Sequence, residues 1–219
     1  MRKILAILLW IGVVLLAIKL TAIALTYFFT GTDNEFLLTK QDLLHNLTWK
    51  VAFYGHLLGG SVAVVSGTLA FFIQWIKPSS KGHKILGKIY FLSIMFIGGP
   101  TGLYLGFYAE SGYLATIGFI GMSCAWMVPT FIAVYKITKG DIAGHHKWMI
   151  RSYSMTLAGV TLRLMTPMVI YFLEWSYDTT FIVTAYVPWM FNLALAELII
   201  YLKRDQIISL ASTLKITRK

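Results

Sequence analysis

Six apolar runs, each long enough to cross a hydrocarbon layer, limit what this chain can fold into. They span Ile4 to Phe29, Val51 to Ile76, Ile85 to Tyr108, Tyr113 to Tyr135, Trp148 to Leu173 and Phe181 to Leu202. A helix rises about 1.5 Å per residue and satisfies its own backbone hydrogen bonds, so about 20 apolar residues suffice for each crossing. The expected fold is all-α, a six-helix transmembrane bundle forming a single multi-pass domain over residues 1–219. The longest connector, Thr30 to Lys50, is too short to be a soluble domain of ordinary size. With 58% hydrophobic and 13% charged residues and a mean hydropathy of +0.71, the chain has the composition of a lipid-facing protein rather than a water-soluble one.

A formal charge of +10 would point to nucleic acid if the cations formed one patch. Here they alternate with the gaps between apolar runs, and no nucleic-acid partner is expected. The N-terminus, the second-to-third turn, the fourth-to-fifth turn and the tail carry +2, +4, +3 and +4, whereas the opposite connections total −4. The positive-inside rule therefore predicts a plasma-membrane protein with both termini cytoplasmic. Ala22-Ile23-Ala24 resembles a cleavage site, but the 26-residue run from Ile4 to Phe29 exceeds a signal core, so an uncleaved anchor is expected. Cys124 stands alone and offers no disulfide or paired-thiol motif. Asn46-Leu47-Thr48 has the pattern of a glycosylation acceptor.

Gly55 with Gly59, and Gly98 with Gly102, have the spacing that lets membrane helices approach closely. Pro100, Pro129, Pro167 and Pro188 each remove a backbone donor within an apolar run and are candidate kinks. Trp49, Trp75, Trp148 and Trp175 lie near run boundaries, where indoles anchor helices at the interface.

Counting depth along alternating helices sorts the polar residues into two sets. His56 lies about 10 Å below the outer interface and Arg163 about 8 Å below it, with Lys19 at comparable depth or snorkelling outward. These three positive or titratable groups have no carboxylate within the apolar runs at their level, which suits an anionic ligand, a lipid headgroup or a water-filled entrance. The inner set comprises His83, opening the third helix, His145 and His146 ahead of the fifth, Arg151 one turn into it, and Glu197 about 9 Å from the inner end of the sixth. Gln74 falls toward the same face. The expectation is that His83, His145, Arg151 and Glu197 converge in one coupled polar site. Arg151 and Glu197 would neutralise each other, leaving His83 and His145 to hold a metal, a haem iron or a polar ligand. A purely structural salt bridge is the competing reading. His145 and His146 are adjacent and diverge on a regular helix, so they do not form an automatic chelate.

No HExxH, CxxCH, phosphate-loop or dinucleotide motif occurs, and no Ser-His-Asp assignment stands out. The segments HLLGGSVAVVSGTLAFFIQW between His56 and Trp75, GHKILGKIY between Gly82 and Tyr90, and HHKWMIRSYSMTLAGVTLR between His145 and Arg163 resemble an uncharacterised bacterial membrane-protein family, domain of unknown function 2306. The matching positions are His83, Gly87 and Tyr90, then His145, Trp148, Met149, Arg151, Ser152, Tyr153 and Arg163. Lys84 and His146 stand where the family pattern expects arginine; Lys84 keeps the charge without the guanidinium fork, and His146 loses it near neutral pH. The resemblance implies a multi-helix membrane fold and supplies no activity.

The leading functional expectation is a small b-type-cytochrome-like or quinone-linked redox module, with haem b, a quinone or a bound metal as cofactor. The candidate cofactor-binding residues are His56, His83, His145, Arg151, Arg163 and Glu197, and the candidate metal ligands are His83 and His145. One alternative is a transporter of an anionic or proton-coupled solute, although no convincing inverted repeat supports it. The other is a structural or regulatory subunit of a membrane complex. The expected partners are membrane lipid, an anionic ligand or another membrane protein.

Overall fold

The computed structural model of the chain describes residues 2–30, 35–77 and 80–216. Asp33, Arg218 and Lys219 from the charge count lie outside the described residues, as do the side chains of Arg2, Lys3, Glu35, Trp75 and Lys215. Every regular element among the described residues is helical. In order they are α1 (Arg2–Phe29), α2 (Glu35–Leu38), a 3₁₀ turn (Gln41–Leu43), α3 (Leu47–Ile76), α4 (Lys81–Leu92), a π-helical segment (Ser93–Gly98), α5 (Gly99–Gly106), α6 (Gly112–Thr138), α7 (Ile142–Leu173), α8 (Tyr177–Leu202) and α9 (Arg204–Ile216). Six of the resulting helices are long and apolar enough to span a membrane; α4, the π segment and α5 together make one of them.

Several helices start ahead of their apolar runs, because polar caps carry the helix beyond the hydrocarbon. Asn46 caps α3 by accepting from the Trp49 N–H at 3.1 Å, and Asp141 caps α7 by accepting from the Gly144 N–H at 2.7 Å. Consequently His145 and His146, expected ahead of the fifth spanning helix, lie inside the first turns of α7.

The chain divides into two compact units, Met1–Leu105 and Gly106–Lys219. In the first unit α3 packs on α1, α4 and the π segment. The glycine spacing allows close helix approach: a Cβ on Gly59 would lie 2.6 Å from the Gly98 nitrogen and 2.9 Å from its Cα, and one on Gly55 would lie 3.3 Å from Thr101 Cγ2. The π segment ends at Gly98, just before Pro100, which has no N–H for a regular turn. The Thr101 hydroxyl sits 2.5 Å from the Ile97 oxygen and 3.2 Å from that of Gly98. By contrast, α6, α7 and α8 run through Pro129, Pro167 and Pro188 as single helices.

Phe53 organises the end of this unit near α2. It stacks on Trp49 and Phe36, with ring centroids 5.2 and 5.9 Å apart, and meets Tyr27 edge-on at 5.4 Å. Trp49 is buried in this cluster, so it packs against other rings instead of anchoring the helix in the interface. Trp175, in the second unit, is exposed.

In the second unit α7 is the spine, packing on α6, α8 and α9. A ladder of polar contacts joins α7 to α6: the Trp126 indole donates to the Thr156 hydroxyl at 2.9 Å, and the Thr130 and Ser152 hydroxyls meet at 2.6 Å. On its other side, Asn192 of α8 donates to the Ser154 carbonyl at 3.0 Å and accepts from Thr161 at 3.2 Å. Such bonds specify helix register more than they stabilise, each contributing about 0.6 kcal/mol in a membrane.

The contact between Gly59 and Gly98 is backbone against backbone and has no flexible side chain to yield. Gly59→Ala should therefore lower the melting temperature of the detergent-purified protein, by the equivalent of about 1–3 kcal/mol, whereas Gly60→Ala, whose added Cβ meets nothing within 4 Å, should not.

Candidate functional site

The turn from α6 to α7 is set by local chemistry. Gly140 has a φ of +74°, the left-handed conformation that ends a helix. Its N–H bonds the Ile137 oxygen at 3.1 Å, and the Asp141 N–H bonds the Lys136 oxygen at 2.9 Å, a paired arrangement that terminates α6 within three residues. Asp141 then starts α7, and its second carboxylate oxygen lies 3.1 Å from the Lys136 ammonium. The Gly144 N–H, and after it the Lys136 ammonium, hold the Asp141 carboxyl below its ordinary pKa. This tight reversal lays the first turn of α7 against the last turns of α6. There His145 Nδ1 sits 2.8 Å from the main-chain oxygen of Ala133.

The turn from α3 to α4 reaches the same result by another route. Ser80 caps α4, its hydroxyl accepting from the His83 N–H at 3.3 Å. His83 Nδ1 lies 3.1 Å from the main-chain oxygen of Ala70 on α3. In both hairpins a Gly-His pair (Gly82-His83 and Gly144-His145) opens the second helix, and its imidazole bonds an alanine carbonyl of the first. A carbonyl oxygen only accepts, so Nδ1 carries the proton in each ring. Nε2 is then the nitrogen with the lone pair in the neutral imidazole, and the ring direction is fixed by main chain.

His56, further along α3, is held in the same tautomer by the Gly98 oxygen at 2.9 Å. This bond sits beside the Gly59–Gly98 contact and uses a carbonyl at the end of the π segment, so His56 pins α3 to the irregular stretch of its neighbour. Arg163 is exposed on α7 and bonds back to the Gly159 oxygen at 3.3 Å, and Lys19 is exposed on α1.

Arg151 and Glu197 do pair. The guanidinium grips the carboxylate as a fork, Nε to Oε1 at 2.5 Å and Nη2 to Oε2 at 2.8 Å. Its plane lies over Trp148, one turn earlier, with Cζ 4.5 Å from the ring centroid. The Arg151 side chain is 20% exposed and that of Glu197 is 56% exposed, so the carboxylate faces outward from α8. The expected inner set thus comprises His83 in the first unit and His145, Arg151 and Glu197 in the second. The second unit joins Arg151 to Glu197, while the two histidines bond main chain in their own units. Among the described residues no three His, Cys, Asp or Glu side chains come together to hold a metal ion.

The family profile described as Predicted membrane protein (DUF2306) matches residues 53–200. The chain belongs to this family. The DUF2306 match begins within α3, ends near the close of α8, and contains all six candidate residues. No curated protein and no solved structure matches the chain.

The main-chain acceptors at Ala70, Ala133 and Gly98 escape sequence reading, because a carbonyl has no residue signature. The turn that brings His145 to Ala133 does have one, in Gly140 followed by the capping Asp141. Since the folded pKa of Asp141 is depressed, the stabilisation from its ionised form is complete above the unfolded pKa and is lost as pH falls through the folded one. The excess melting temperature of the wild type over Asp141→Asn should be constant from about pH 5 to pH 8 and shrink below about pH 4. A difference that grows on acidification would contradict the cap-and-ammonium account.

Proposed function

We propose that this DUF2306 protein is a membrane redox module of the b-type-cytochrome kind, with His83 in the first unit and His145 in the second each an imidazole donor to a haem iron, and with both termini in the cytoplasm. One observation carries this reading: at the start of α4 and of α7, an imidazole gives its Nδ1 proton to a main-chain carbonyl, at 3.1 and 2.8 Å. That is the support a metal-ligating histidine needs, since it fixes the tautomer, orients the ring and raises the basicity of Nε2. Haem would suit these donors better than a bare ion, because a haem can be held by as little as one imidazole nitrogen, whereas a bare ion needs several protein ligands.

Bound haem would supply one-electron chemistry. The chain's own residues would then do three things. His83 and His145 offer Nε2 from rings that cannot rotate without losing a hydrogen bond. The Arg151–Glu197 pair neutralises itself and leaves no net charge beside an apolar helix. Arg163, eighteen residues beyond His145 on α7 and so about 27 Å along the helix, lies out of reach of a haem held at His145 and is suited instead to the charge of a reduced quinone at the far end. The cytoplasmic placement of the termini is supported by the excess of lysine and arginine at the N-terminus, in both histidine-bearing turns and in the tail.

Protein expressed with ample haem and purified in detergent should show a Soret band and reduced α and β bands. His83→Ala and His145→Ala should each lower haem per folded protein at least about tenfold, whereas His45→Ala, in the connector before α3, should leave it unchanged. A wild type without haem absorption would overturn the cytochrome reading. Variants that lose only folded protein at an unchanged haem ratio would make these histidines purely structural clasps of their hairpins.

A further inference from the structure

The Arg151–Glu197 pair has features that self-neutralisation does not require. A salt bridge that served only to hold α7 to α8 would be most effective when enclosed, yet the Glu197 side chain is 56% exposed on a helix whose neighbouring exposed residues are Leu198, Ile199, Tyr201 and Leu202. Arg151 neutralises this carboxylate, but its exposed side keeps acceptor capacity that hydrocarbon cannot satisfy. Its depth selects the partner that can. Glu197 lies six residues before Lys203, about 9 Å along the helix, and Trp148 marks the same end of α7 with an indole suited to the headgroup region.

We infer that Trp148, Arg151 and Glu197 form a headgroup site for a phospholipid bearing a primary ammonium, of the phosphatidylethanolamine type. The guanidinium has five N–H groups, of which Glu197 takes one on Nε and one on Nη2. The others are available to a phosphodiester, for which arginine's planar fork is well shaped. The exposed face of the Glu197 carboxylate then accepts hydrogen bonds from the lipid ammonium. Both charges of the zwitterion meet their opposites on one rigid pair, and the stacked Trp148 ring holds the guanidinium plane in place. Choline has no N–H to give the carboxylate. A purely anionic headgroup would bring its phosphate to Arg151 with no ammonium for the outer side of Glu197 and a second anion beside that carboxylate. This site goes beyond the redox reading, in which the Arg151–Glu197 pair serves only to neutralise itself.

The test uses the full-length wild type in nanodiscs of equal phosphatidylethanolamine, phosphatidylcholine and phosphatidylglycerol with matched acyl chains, followed by native mass spectrometry of the lipids that remain bound on release. Ethanolamine lipid should be enriched over choline lipid by about threefold or more. Retention in proportion to the mixture, or enrichment of phosphatidylglycerol alone, overturns the proposal, the latter in favour of a simple basic patch. Glu197→Gln keeps the shape of the side chain and removes the charge, so the folded variant should lose the ethanolamine preference. A Glu197→Gln protein that folds and retains the preference also overturns it. If the variant fails to fold, the wild-type adduct ratio decides alone.

Discussion

An imidazole N–H given to a main-chain carbonyl of a neighbouring helix is the interaction on which both units rest. It occurs at His56 with Gly98, at His83 with Ala70 and at His145 with Ala133, over 2.9, 3.1 and 2.8 Å. A helical carbonyl has a second lone pair after its own i+4 bond, and hydrocarbon offers no water to use it. The histidine therefore gains a partner without breaking the helix, and the helix gains a fixed neighbour. Because the acceptor is backbone, its position follows from the helix itself and not from a side-chain rotamer. A ring held this way has one defined tautomer and one direction.

The hairpins differ in how they bring the ring to its acceptor. Between α6 and α7 a left-handed Gly140 stops one helix and Asp141 starts the next, so the reversal is completed within a few residues. Between α3 and α4 a serine cap sets the first turn of α4, and the amide it caps belongs to His83 itself. Beyond this turn, the close approach of Gly59 to Gly98 and the π segment before Pro100 fix how α4 and its continuation lie on α3. π segments occur often beside functional sites, and here one provides the carbonyl that receives His56.

Much of this is legible in the sequence because hydrocarbon imposes simple rules. Six apolar runs give six spanning helices, Gly55 and Gly59 mark a close approach, and the opposite charges of Arg151 and Glu197 suggest their pairing. The helix starts are less legible, since caps at Asn46 and Asp141 extend helices into polar sequence where hydropathy falls. Trp49 near a boundary looks like an interfacial anchor, yet it is buried against Phe53, on which Phe36 of the connector also stacks, a tertiary effect that no local pattern carries. The bonds from His83 and His145 to alanine carbonyls are the least legible of all, for any residue can present that oxygen. Family membership covers the same residues and gives no chemistry, whereas those bonds fix the ring nitrogen that a cofactor would meet.

Solid-state ¹⁵N NMR of ring-labelled histidine in lipid bilayers, assigned with His83→Ala and His145→Ala samples, tests the central claim most directly. The account predicts that His83 and His145 both hold their proton on Nδ1, with Nε2 giving either an unprotonated or a metal-shifted signal. Protonation at Nε2 with a bare Nδ1 in either ring would contradict it, because a carbonyl cannot donate the bond that such a ring would need.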